Sequence, residues 1–463
     1  MPGRRADRSP PVRPGETVTV TVTGLGHAGE GVGRAGGFAL FVPGALPGER
    51  VEARVTEVHP RYGRAELMRV LDPSPERVPP PCGVYARCGG CQLQHLDYAA
   101  QLREKRQRVR DALERIGGLR GVTVHPVLGM ADPWWYRHKA AFPVGWAGGR
   151  AVLGFYAPGT HDIVDVVECR IQHPLASRVL AEARELIRER DVSVYDEAAH
   201  RGDLRHVLVR VSHATGEALV VLVTARREVP GLAEMAAGLI ARVPGVASVW
   251  QNVNPARTNV ILGPENVHLA GRPRITERIL GLEFRISPVS FFQVNPAQAE
   301  ILYERALAYA GRGPRDVAVD LYAGTGTISL LLARDWGSVH GVESVPEAVE
   351  DAWENARRNG VTNVRFHAGE AEEILPRLWR EGLRPRAVVL DPPRQGAART
   401  VLEAAAAMGP ERIVYVSCNP STLARDLAIL AGLGYRTVEV QPVDMFPHTA
   451  HIEAVTLLHR EHR

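Results

Sequence analysis

The sequence predicts an α/β protein: a doubly wound parallel sheet at its C-terminal end, preceded by a small β-barrel and a central α+β region. Three observations predict it. From residue 287 onward, short apolar runs (Val317–Leu321, Val339–Val342, Val364–Phe366, Ala387–Leu390, Ile413–Val416) alternate with helical stretches over 297–310, 346–359 and 421–432. Near the start, strand-like runs separated by glycine turns crowd into residues 15–70. Between these regions lies a proline-rich hinge followed by three closely spaced cysteines. The composition suits such a fold: 463 residues, 45% hydrophobic and 23% charged, room for about three domains. Their expected bounds are 12–71, 72–286 and 287–463.

Taken in order, MPGRRADRSPPVRPGE has charge and proline but no apolar core. It reads as a disordered lead-in rather than a secretory signal. No apolar run reaches the ~18 residues of a membrane span, so no membrane partner and a cytoplasmic location are expected. The net charge of +4 permits nucleic acid without demanding it, and with only Lys105 and Lys139 as lysines nearly all the positive charge is arginine. The first barrel strands are Thr17–Val22, Phe38–Val42 and Val51–Val55, with Gly-Glu-Gly-Val-Gly-Arg as a tight connection. Residues 29-GEGVGRAGG-37 and 43-PGALPGERV-51 resemble a TRAM domain, an OB-like RNA-binding module.

After Asp72-Pro73-Ser74-Pro75 comes 82-CGVYARCGGCQLQHLDY-98. Cys82, Cys88 and Cys91 are spaced C-x5-C-x2-C, and Cys169 is the remaining candidate for a fourth ligand; zinc and iron–sulfur centres both take four thiolates. Five cysteines in so long a chain do not make a disulfide scaffold. Residues 97–117 read as an amphipathic helix with Leu102, Val109, Leu113 and Ile116 near one face. Its other face is basic, and is either RNA-contacting or solvated. In 121–286 strand signals (Val207–Val211, Ala218–Thr224, Ala247–Asn252) surround one clear helix, 175–190. There 133-PWWYRHKAAFPVG-145 sets Trp134 and Trp135 beside Arg137 and Lys139, a combination that stacks bases and holds phosphate or else fills a core.

The first strand of the sheet runs into 320-DLYAGTGTISLLLA-333, where Gly324 and Gly326 allow a sharp turn close to a ligand. The next ends at Glu343, placed to accept from ribose hydroxyls. With neither G-x-G-x-x-G nor a Walker A sequence, cofactors bearing di- or triphosphate fit poorly, whereas S-adenosylmethionine fits. Asp391, ending the fourth strand in Asp-Pro-Pro-Arg, and Gln293 in 288-PVSFFQVNP-296 complete the expected anchors. Cys418 lies between the strand Ile413–Val416 and a helix begun by Asn419 as N-cap and Pro420. The helix N-terminus is expected to favour its thiolate, making it the candidate nucleophile.

These motifs, with SCNPSTLARD and 447-PHTAHIE-453, resemble the S-adenosylmethionine-dependent RNA uridine C5-methyltransferase family over nearly the whole chain, closest to its 23S ribosomal RNA branch. The resemblance implies a class I methyltransferase domain and a monomer. It implies a [4Fe-4S] cluster on Cys82, Cys88, Cys91 and Cys169, and S-adenosylmethionine on Gln293, Tyr322, Glu343 and Asp391. Cys418 would be nucleophile and Glu453 proton acceptor. Departures are mild: Ala323 stands where cysteine is frequent, and Gly369-Glu370-Ala371 reorders a common Gly-Asp-Ala, leaving the adenine contact unassigned. Rival readings are a transfer-RNA uridine or RNA cytosine C5-methyltransferase, and a non-catalytic RNA-binding protein with this fold. An amino-group methyltransferase is disfavoured because Arg394 occupies the aromatic position its motif needs.

Overall fold

A computed structural model describes residues 10–290 and 292–461; Phe291 and the first nine residues of the expected lead-in lie outside the described residues. The remainder of that lead-in is built into the barrel. Val12 is buried in its core, and the Gly15 N–H donates to the Val55 carbonyl at 2.8 Å.

Five strands close the barrel: Thr17–Leu25, Gly31–Ala35, Phe38–Val42, Arg50–Val58 and Tyr62–Asp72. Their alternation points Val20, Val22, Leu40, Val42, Val51, Ala53 and Val55 inward. Gly33 is required here, since a Cβ would lie 2.3 Å from Val20 Cγ1. The barrel is fastened to the hinge by Glu49, fully buried, which accepts from Leu46 N (2.8 Å) and from Arg77 Nε (2.6 Å). Burial works against that carboxylate, but Arg77 and the backbone donors hold its pKa below the ordinary value.

The central region is a seven-stranded sheet, with Lys139–Ala147 and Leu204–Val211 near its middle and helices Pro174–Glu189 and Leu232–Arg242 sharing one core with it. The second helix is not signalled in the sequence, because Gly238 interrupts its pattern. The glycine is there because a Cβ would meet Leu186 Cδ2 at 2.5 Å, where the two helices pack.

The C-terminal sheet has eight strands in the order Val364–Ala368, Trp336–Glu343, Gly313–Leu321, Pro385–Leu390, Arg412–Ser417, Glu453–Arg460, Tyr435–Val443, Thr123–Val124. Glu453–Arg460 alone is antiparallel to its neighbours. The strand order turns back between Gly313–Leu321 and Pro385–Leu390, where sheets of this type form a ligand crevice. One apolar core covers each face.

The helix expected over 97–117 spans Tyr98–Arg115, with Asp97 as N-cap. It packs on the C-terminal sheet's own layer: Val109 and Leu113 share a core with Leu423 and Ala424 on helix Pro420–Gly432. Ile116 is exposed instead of buried. The basic residues divide: Arg103, Arg110 and Arg115 are exposed, whereas Lys105, Arg106 and Arg108 are engaged by other segments. Lys105 is buried against Asp444 (Nζ–Oδ1 2.6 Å), Arg106 donates to the Val124 carbonyl, and Arg108 to the carbonyls of Ala450 and His27. Three cations thus tie the helix to distant segments, which hydropathy alone does not reveal.

Candidate active site

The strand register assembles the site. Leu321 lies beside Val342 and Leu390, and Leu390 beside Tyr415. Tyr322, Glu343 and Asp391, each following one of those positions, therefore emerge on one rim, and Cys418 leaves the same rim just past Ser417. The antiparallel strand returns to it, with Ala454 paired to Ser417, so Glu453 faces Cys418 across adjoining strand ends. Two residues 35 positions apart in sequence meet because their strands run in opposite directions.

The Gly turn after Leu321 is braced by Glu343, whose carboxylate accepts from Gly324 N (2.9 Å) and Val345 N (2.9 Å). Tyr322 sits at φ 64, a left-handed conformation that costs a non-glycine residue about 1 kcal/mol. A Cβ on Gly324 would meet nothing within 4 Å, so the backbone borders open space. Below the turn, Asp320 accepts from Ser329 Oγ (2.6 Å) while its other oxygen is buried without a partner. Burial pushes Asp320 up to about 7. An orphaned acceptor beside open backbone is a fit for a ligand carrying donors, such as the ammonium and hydroxyls of S-adenosylmethionine. Gln293 and Tyr303 face one another on the near side, and the carboxylates of Asp391, Glu453 and Asp320 all bear on the Tyr303 hydroxyl. Tyr303 carries no sequence motif that singles it out, and Asp320, though it opens 320-DLYAGTGTISLLLA-333, is not marked there as a ligand. Their burial beside the site is the signal.

Three acidic groups share little solvent. Asp391 retains partial residue exposure, yet the enclosure of its carboxyl raises it to about 6. Glu453 is buried, and burial together with Asp391 pushes it up to about 8, opposed by Arg394. The expected depression of the Cys418 thiol is reversed. Burial raises it, Glu453 and Asp391 add to that, and Arg394 and its own backbone N–H only partly offset them. The helix does begin as expected, with Asn419 as N-cap and Pro420 in its first turn. Its cap occupies one of the first-turn donors: Asn419 Oδ1 takes the Ser421 N–H at 3.0 Å. Arg394, exposed and without a carboxylate partner among the described residues, is thus the cation of the site. Its carbonyl is pinned by Asn419 Nδ2 (3.1 Å) and Thr422 Oγ1 (3.3 Å), which ties the DPPRQG turn to the SCNPST turn.

A thiol facing a high-pKa carboxyl at the switch point of a doubly wound sheet narrows the chemistry, and comparison with known proteins decides the family. A TRAM domain model matches residues 11–68, and the tRNA (Uracil-5-)-methyltransferase model matches 97–461. The chain belongs to this methyltransferase family. Among its relatives, uncharacterized RNA methyltransferases of Clostridium tetani and Caldanaerobacter subterraneus are 47% and 49% identical, each aligned over 97% of this chain and covered over 97% and 99% of their own lengths. A solved Pyrococcus abyssi tRNA (uracil-54, C5)-methyltransferase, in complex with S-adenosyl-L-homocysteine, superposes with a TM-score of 0.77 at 29% identity, over 95% of this chain and 99% of that one. This family of RNA methyltransferases uses S-adenosylmethionine. Among the described residues no helix is long and apolar enough to cross a membrane.

Beside the methyltransferase site lies a second concavity. Cys82, Cys88, Cys91 and Cys169, all free thiols, line one cavity of about 220 Å³ together with Thr449 and His451. Among the described residues no three His, Cys, Asp or Glu side chains are gathered closely enough to hold a metal ion as they stand. A single zinc would need thiolates about 4 Å apart; a polynuclear cluster sets them farther apart. Gly90 passes the Cys88 sulfur, its N–H 3.4 Å away, and the side-chain oxygens of Gln94 and Gln172 are buried in the lining without partners. Burial raises Cys91 to about 12 and Cys169 to about 11, and each neighbouring thiolate adds to the penalty.

The aromatic pair is used in opposite ways. Trp134 stacks on His448 (centroids 3.7 Å apart), so one face of its ring is taken, while Arg170 lies 5.7 Å over Trp135. Tyr136 is core, donating to the Pro447 carbonyl at 3.0 Å. Lys139, flanked by Arg137 and Arg210, is pulled down to about 7, by burial first and then by those two charges.

Proposed function

We propose that the chain transfers a methyl group to C5 of one uridine in 23S ribosomal RNA through a covalent Cys418–C6 adduct, with Glu453 removing the C5 proton. The observation that carries this reading is Cys418 and Glu453 facing one another across antiparallel strand ends beside the cofactor crevice. Uracil C5 is a weak nucleophile until a group adds at C6. Cys418 adds there, which places electron density on C5. Gln293, Tyr322, Glu343 and Asp391 would hold S-adenosylmethionine, whose electrophilic methyl would pass to C5 with S-adenosylhomocysteine as the leaving group. Glu453, with no protein donor on its carboxylate among the described residues, is free to accept the C5 proton, and elimination then frees Cys418. Arg394 balances the two acidic groups and favours the Cys418 thiolate. The base reaches the crevice only by leaving its stack.

The ribosomal reading rests on the resemblance of the sequence motifs to the 23S branch of the family. A transfer-RNA uridine is the second reading, favoured by the likeness to the Pyrococcus enzyme over both chains' full extent. Tritium release from RNA labelled at uridine C5 tests both. Release from the 23S transcript that depends on S-adenosylmethionine and vanishes in Cys418→Ala is expected. Methyl incorporation without tritium loss would move the target atom away from uridine C5, and release from transfer RNA alone would move the substrate.

Cys82, Cys88, Cys91 and Cys169 would hold a [4Fe-4S] cluster, whose positive iron core would stabilise the thiolates of Cys88, Cys91 and Cys169 that burial alone penalises. We assign it no step in methyl transfer. Protein purified without oxygen is expected to be brown and to contain iron. Colourless protein carrying zinc would overturn the cluster.

A further inference from the structure

Glu453 is fixed on one side by its strand and on the other by the segment 444–452, which contains no helix or strand. The cysteine turn holds that segment. The backbone N–H groups of Gln92 and Leu93 both donate to the His448 carbonyl, at 3.0 and 2.9 Å. The Gln92 side chain spans the gap: its Nε2 donates to the Gly89 carbonyl (2.9 Å), between Cys88 and Cys91, and its Oε1 accepts from Ala450 N (3.3 Å). His448 is held at φ 63, with Gln101 accepting its N–H (3.0 Å) and donating to its Nδ1 (3.2 Å). A left-handed non-glycine residue persists only where its surroundings over-determine it.

We infer that Gln92 is a positioning residue for Glu453, linking the cysteine turn to the proton-removal half of the reaction. The inference rests on the assignment of Glu453 as proton acceptor. Cys418 is carried by a different strand, Arg412–Ser417, which Gln92 does not touch. Loosening Gln92 therefore leaves formation of the S–C6 and C5–methyl bonds intact and slows the elimination that completes turnover. In that elimination the C5 proton passes to Glu453, its electron pair becomes the C5=C6 bond, and the C6–S bond breaks to return the Cys418 thiolate. The enzyme stalls as a methylated adduct still joined to RNA.

A single-turnover assay counts methyl incorporated and tritium released on the same RNA, and a denaturing gel measures protein–RNA adduct. The ratio of the two labels does not depend on how much of a variant folds. Glu453→Gln is the control and must accumulate adduct; if it does not, the assigned role of Glu453 fails and the inference with it. Given that control, Gln92→Ala is expected to incorporate methyl at the parent rate, release tritium roughly tenfold more slowly, and accumulate adduct. Gln92→Glu, which keeps an acceptor for the Ala450 N–H but loses the donor to the Gly89 carbonyl, is expected to fall between the parent and Gln92→Ala in its label ratio. A parent-like label ratio in Gln92→Ala, or equal losses of both labels, would overturn the positioning role while leaving that of Glu453 standing.

Discussion

At the scale of single residues the site is governed by the difficulty of holding charge. Glu453 is buried near Asp391, and its pKa of about 8 means that the form able to take a proton is the minor one at neutral pH. Proton removal from C5 is therefore expected to quicken as pH rises through about 8, with adduct accumulating below it. Stopped reactions between pH 6 and 9 that separate tritium release from methyl incorporation would read this directly. The same shift has a stability consequence of definite sign. Its folded-state pKa lies above the ordinary carboxylate value, so between about 4.5 and 8 the folded state binds more protons than the unfolded one. Stability contributed by the neutral form is thus lost as pH rises through that window. Glu453→Gln should flatten this loss, its Tm exceeding the parent's most at pH 9. A constant Tm difference across that range would mean that the carboxyl is not held neutral.

At the scale of elements, what the sequence discloses depends on whether the interaction is local. Parallel strands buried on both faces are continuous apolar runs, and the caps are written beside the helices they start, as Asn295, Asn419 and Asp97 show. Hence the alternating C-terminal fold, the barrel and the rim positions of Glu343 and Asp391 are legible. Interactions set by register or by distant partners are not. Nothing near Cys418 says that Ser417 pairs with Ala454, and only the family motif pointed to Glu453. Thr123–Val124 joins the C-terminal sheet from far upstream through a short parallel pairing with Glu439 and Val440. The basic helix face looked solvated because lysine and arginine usually are, whereas Lys105 has found Asp444 far along the chain. The thiol departs from expectation for a related reason: a helix N-terminus is visible in sequence, but the burial that raises the thiol, and the two carboxylates from other strands that add to it, are not.

At the scale of the whole molecule, the joint where the barrel meets the hinge is electrostatic. Glu49 is completely buried and its acceptors are filled by Leu46, Ser74 and Arg77, while Arg77 also donates to the Gly44 carbonyl at 2.7 Å. Removing Arg77 leaves a carboxylate in the barrel wall without its counter-charge, a loss of about 3 kcal/mol when the surroundings cannot relax. The catalytic strands lie in a separate core, so the damage should stay on the barrel side. Arg77→Ala is therefore expected to speed proteolytic cutting between the barrel and the cysteine turn. It should also raise KM for a long structured RNA several-fold, while kcat and the rate on a short uridine-containing oligonucleotide change little. Equal losses on both RNAs would instead mean that the barrel supports the catalytic sheet itself, and that substrate capture and chemistry are not divided between the two ends of the chain.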